Sequence, residues 1–264
     1  MRSVRGKLAR GVSASLLAAA LGISSAGVAG ADETDAKNLL KAMSDYMAST
    51  EAFSFNFNSD LEVVTTEDQK LAFASSGTMA ISRPDKVHAT RTGGFADVEF
   101  IFDGTTVTLF GKSANVYAQA SAPGSIDDLI DTLRDTYRRP IPGADLLTSD
   151  VYDTLMADVT DIKDLGSGVI NGVECNHFAF RAPTVDWQIW IATGDEPYPC
   201  RFRIASKELT TSPQYTVDIT DWKAGDAAGA TDFTFKNTTD AREVDVANLP
   251  DLDELPEQYT PGEK

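Results

Sequence analysis

Histidine and cysteine are nearly missing from this sequence, with two of each in 264 residues. Neither His88 nor His177 stands in a sequence pattern with an acid, a nucleophile or a second histidine. No G-x-S-x-G elbow, H-E-x-x-H helix or phosphate-binding glycine loop occurs. These absences exclude the common hydrolase, metalloprotease and nucleotide-hydrolase chemistries, so the chain reads as a binding protein and not an enzyme. The acids do not fall at EF-hand spacing, and no metal or cofactor is expected. Cations are scarce as well, with 23 Lys and Arg against 40 Asp and Glu and a net charge of −17. Such a surface repels nucleic acid and anionic headgroups. Beyond residue 31 no segment approaches the ~20 apolar residues of a membrane-spanning helix.

What is present begins with a secretory signal over residues 1–31. Arg2, Arg5, Lys7 and Arg10 form a basic stretch, Leu16 to Ile23 a short apolar run, and Ala29-Gly30-Ala31 a small-residue cleavage site. The run is too short and too broken by Gly and Ser for an anchor. Removing it takes away four cations and no acid, which moves the net charge from −17 to −21. The expectation is a soluble periplasmic protein, with secretion as the alternative. Residues 32–240 read as one domain, and 241–264 as an acidic, weakly ordered tail bearing Asp251, Asp253, Glu254 and Glu257. Cys175 and Cys200 lie in strand-like stretches. In an oxidising compartment they are a disulfide candidate, with two buried thiols as the alternative.

Ala36, Leu39, Leu40, Met43, Tyr46 and Met47 recur at helical spacing. Phe53, Phe55 and Phe57 then alternate with polar residues, and Leu71, Phe73, Ser75, Gly77, Met79 and Ile81 repeat the period. The two runs predict a long hairpin. Val98–Phe102 and Thr106–Phe110 predict another around Asp103-Gly104, and Val116–Ala118 a short edge strand. Ser125–Tyr137 and Ala144–Met156 read as helices. Strands return at 162–165, 173–180, 187–192, 200–205 and 215–222, with a last short one at Phe233–Phe235. Gly166-Ser167-Gly168, Asn171-Gly172 and Gly194–Pro197 read as turns. The class is α+β, a broad antiparallel sheet with helices gathered on one side.

Gly77-x-Met79-x-Ile81-x-Arg83-Pro84, followed by Phe102-Asp103-Gly104 and the strand to Phe110, resembles the periplasmic lipoprotein-carrier (LolA-like) superfamily. Val173–His177, Val185–Ile191 and Pro199-Cys200-Arg201 resemble a family of exported bacterial proteins described as predicted periplasmic proteins. The resemblance implies a curved antiparallel sheet forming an unclosed half-barrel, with helices covering its concave face. In the carriers that concavity holds acyl chains. The chain departs from them in its cysteines and its acidic segments.

Phe55, Phe57, Phe73, Met79, Trp187 and Ile189 are the candidates to line an apolar ligand cavity, and core packing under the helices is the plainer role for each. The implied partner is an apolar or acylated ligand. The alternative is docking or sensing of another envelope protein with no small-molecule ligand.

Overall fold

The computed structural model describes residues 33–136 and 141–246. The signal segment expected at 1–31 and the tail from 247 onward lie outside the described residues.

Two meanders build one sheet. The first contains β1 (Ala52–Val64), β2 (Lys70–Ser82), β3 (Lys86–Gly93), β4 (Asp97–Phe102), β5 (Thr106–Gly111) and β6 (Val116–Ser121). The second contains β7 (Asp161–Ile170), β8 (Val173–Arg181), β9 (Val185–Ala192), β10 (Pro199–Ser206) and β11 (Gln214–Ala224). A two-residue strand, β12 (Arg242–Glu243), follows. The strand order is β12-β6-β5-β4-β3-β2-β1-β11-β10-β9-β8-β7. β11 returns to pair antiparallel with β1, which fuses the meanders, and only β12 runs parallel to its neighbour β6. The two edges do not pair, so this is the open, α+β half-barrel that the resemblance implied.

The helices take the sheet's inner face. α1 (Glu33–Ser49) buries Ala36, Leu40, Met43 and Met47, the stripe its periodicity announced. α2 (Ile126–Asp131) starts at a capping box in which Ser125 and Asp128 satisfy each other's backbone N–H groups. The hydrogen bonds donated by the Ser125 backbone and hydroxyl hold the Asp128 carboxyl below its usual range. α3 (Val151–Met156) is capped by Asp150, whose carboxylate accepts from the Asp153 N–H. One continuous core joins α1 to Phe53, Ile81 and Phe102 of the first meander and to Phe178, Trp187 and Phe202 of the second.

The helix expected over 125–137 is present, α2 passing at Thr132 into a wider π-helical turn through Thr136. Four sequence expectations need correction. The helix over 144–156 breaks into a 3-10 turn at Ala144–Leu147 and then α3, because Thr148 is extended and Asp150 caps a new start. Gly166-Ser167-Gly168 is not a turn. It is a bulge inside β7, with Gly166 at φ 82° shifting the register against β8. β6 is not the edge strand, since β12 pairs outside it. Phe233–Phe235 forms no strand; instead Phe235 packs 4.8 Å from the Tyr117 ring and 5.9 Å from that of Phe110, on the sheet's outer face. The first residues of the acidic segment are held at the β6 edge: Arg242 N–H and Val244 N–H donate to the Asn115 and Tyr117 carbonyls, and Val244 and Val246 pack against Val116, Ala118 and Leu109.

Candidate functional site: the inner face of the first meander

Strand register sorts the side chains of β1–β6 into rows that cross the sheet. On the inner face one row is Phe53, Ile81, Val87, Phe102, Val107 and Ala120. The next is Phe55, Met79, Ala89, Phe100, Leu109 and Ala118. A third is Phe57, Gly77, Arg91, Val98, Gly111 and Val116. Beyond it Ser59 meets Ser75, their hydroxyls 2.8 Å apart, and Leu61 meets Phe73. The first row is buried under the helices. Phe57, Met79 and Phe100 are half-buried at the margin of the core, whereas Val98, Val116 and Ala118 in the same rows and Ser59 and Ser75 beyond them are buried.

The six residues singled out from the sequence therefore fall into two groups. Phe55, Trp187 and Ile189 are buried in the core; Trp187 stacks on Phe180 with ring centroids 3.8 Å apart. Phe57, Phe73 and Met79 stay half-buried along the inner face. Phe73 meets the ring of Phe95, which is 50% exposed, edge-on at 5.8 Å. Beside this pair a cavity of about 10 Å³ is lined by Phe73, Ser75, Arg91, Gly93 and Phe95. It has room for about one water, whose centre needs roughly 10–15 Å³. Phe95, Phe100 and Arg91 were not among the sequence candidates. Phe100 was readable from the alternation of VEFIF, but the reach of Phe95 across a loop onto Phe73 was not.

Arg83 ties this face to the helices. Its Nε donates to the Met47 carbonyl at the end of α1 (3.1 Å), and Nη2 donates to the carbonyls of Leu147 (3.1 Å) and Thr148 (3.4 Å). Its guanidinium also lies 5.7 Å from the Phe53 ring centroid. Burial disfavours its charge and lowers its pKa, against a smaller opposing effect of Asp127; an arginine stays protonated all the same. Arg83→Ala leaves three carbonyls without this donor. The expected loss is about 2 kcal/mol in urea unfolding, with faster amide exchange at 144–148. Arg83→Lys is expected to recover only part of it, because an ammonium lacks the planar fork.

The outer face mixes aromatic with polar and charged side chains. His177 stacks on Trp190 at 3.9 Å, and Arg201 lies 5.6 Å from the Trp190 ring while pairing through both nitrogens with Asp218. Burial holds the His177 pKa below its usual value, opposed by the Gln188 side chain at 3.0 Å. His88, alone in the sequence, lies 2.7 Å from Glu99 across β3 and β4. A recess of about 250 Å³ nearby is lined by Asn56, Thr78, His88, Asp221, Lys223 and Thr231 among others. Cys175 and Cys200 are joined in a disulfide that spans from β8 to β10 over β9.

A family model described as "Predicted periplasmic protein (DUF2092)" matches residues 36–247. No curated protein matches the sequence. Among solved structures, the Mycobacterium tuberculosis lipoprotein LppX is similar at TM-score 0.38 and 12% identity, over 77% of this chain and 100% of that one. The LolA superfamily protein NE2245 of Nitrosomonas europaea is similar at TM-score 0.36 and 10% identity, over 76% and 97%. The complex of Pseudomonas aeruginosa MucA and MucB gives TM-score 0.43 and 14% identity, over 74% of this chain and 59% of that one. No described helix is long and apolar enough to cross a membrane.

Proposed function

The chain belongs to the family of predicted periplasmic proteins, and we propose that it is an exported, non-catalytic binding protein that takes an apolar or acylated ligand on the inner face of its half-barrel. The observation that supports this reading most is the half-buried strip of Phe57, Met79 and Phe100, which the helices do not seal and which leads to the exposed Phe95. A ligand chain laid along the strip gains ~0.8 kcal/mol for each methylene removed from water. Names of similar structures agree in kind, since they include a lipoprotein and a LolA superfamily protein.

Titration with a fluorescent long-chain fatty acid tests the reading. Saturable one-to-one binding is expected, reduced at least about tenfold by Met79→Asp, which places a charge on the strip. Equal binding by the variant places the ligand elsewhere.

A second reading, docking of another envelope protein, is favoured by one separate feature. β7 is a sheet edge whose Leu165 and Val169 are 50% and 69% exposed. Pairing of a partner strand there leaves the inner face untouched.

A further inference from the structure

After β11 the chain turns through Gly225–Ala228 and folds back against β1 on the outer face, where the Ser54 hydroxyl donates to the Ala228 carbonyl at 3.4 Å. Between this return and the strands lies the recess of about 250 Å³, close to the ~300 Å³ at which small-molecule sites begin. Register sets its floor: Asn56 stands beside Thr78, and Ser54, Ala80 and His88 form the next row. Ala80 has the smallest side chain of that row, which leaves the depth. Phe55 and Met79 also border the recess but belong to the inner-face row, so the floor offers no aromatic platform. The charges here are already matched. Lys223 pairs with Asp221 at 2.9 Å, and His88 meets Glu99 at 2.7 Å. What remains for a ligand is uncharged. The Asn56 amide and the Thr231 hydroxyl have no side-chain partner among the described residues. Glu99 takes one ring nitrogen of His88, and in a neutral ring the other nitrogen then accepts.

We propose that this recess is a second binding site and takes a neutral sugar. A sugar hydroxyl both donates and accepts, so it meets an amide, a hydroxyl and an imidazole nitrogen without disturbing either ion pair. The hydroxyls of Ser54 and Thr78 keep acceptor capacity beyond the bonds they make to Ala228 and Thr90. A carboxylate or phosphate would have to separate Lys223 from Asp221 to gain a cation, on a chain of net charge −17. A flat apolar ring would find nothing to stack on and would strip water from polar groups without replacing its bonds. The recess lies on the opposite face of the sheet from Phe57, Met79 and Phe100, so the proposal does not depend on the acyl-binding reading.

Amide NMR titration with glucose, mannose and N-acetylglucosamine, and with glucuronate as the charged counterpart, tests it on wild type, Asn56→Ala and Ala80→Leu. Saturable shifts are expected with at least one neutral sugar, confined to residues 54–56, 78–80, 88 and 221–231. Asn56→Ala is expected to weaken binding about fivefold, the worth of one hydrogen bond. Ala80→Leu, which fills the floor and removes no polar group, is expected to abolish it. Each variant's spectrum away from the recess should match wild type, which shows that it folds. Glucuronate is expected to bind more weakly than glucose, and palmitate to leave the sugar shifts unchanged. No saturable shift with any of the three neutral sugars, shifts that map elsewhere, or undiminished binding in Ala80→Leu overturns the site. Tighter binding of glucuronate than of every neutral sugar overturns the ligand class.

Discussion

Gly77→Val is expected to cost about 3 kcal/mol, near the upper end of overpacking penalties. A Cβ at Gly77 would stand 1.9 Å from the carbonyl oxygen of Thr90 and 2.6 Å from Cζ of Phe57. The ring can turn away, but the carbonyl belongs to the neighbouring strand and cannot move without parting β2 from β3. Gly77→Ala carries the same Cβ and is expected to lose most of the same stability. Urea unfolding of the two variants measures it. A midpoint unchanged for alanine would mean that β2 and β3 do not approach as closely as described. The loss would also reach the inner face, since the Phe57 ring rests where the missing side chain would be.

The second large effect belongs to the disulfide. Cys175→Ala with Cys200→Ala is expected to cost roughly 3–4 kcal/mol through the freed loop. The cysteines stand 25 residues apart in sequence and are both buried. For a domain of this size that corresponds to a fall in Tm of about 10 °C, read by scanning calorimetry. Cys175 and Cys200 form a small cluster with Ile170 and Ala192, apart from the main core. Ligand affinity is therefore expected to hold while Tm falls. A double variant as stable as wild type would contradict the loop-entropy argument for this bridge.

Much of the sheet was legible because its signals are local. The period-two run of Phe53, Phe55 and Phe57, the Asp103-Gly104 turn and the stripe of α1 each announce an element without knowledge of the rest. The errors came where a local signal has two structural uses. Gly166-Ser167-Gly168 reads as a chain reversal, yet one left-handed glycine serves equally for a bulge when the strand has a partner on either side of it. Phe233 and Phe235 alternate like strand residues but cover the outer face, because β4, β5 and β6 leave Phe110 and Tyr117 to be packed. The site was legible only in part. Alternation placed Phe55, Phe57, Phe73 and Met79 on one face of the first two strands, and gave Trp187 and Ile189 a shared phase in a later strand. Which of these the helices bury depends on where α1 and the 144–156 segment cross the sheet, and no spacing within a strand encodes that.

Native mass spectrometry of the protein, purified from the bacterial envelope without detergent, separates a ligand-holding inner face from one that is merely packed. The expected result is a population carrying the added mass of an acyl lipid, removed by organic extraction and restored by palmitate. A single unliganded mass, before and after palmitate is added, would contradict it.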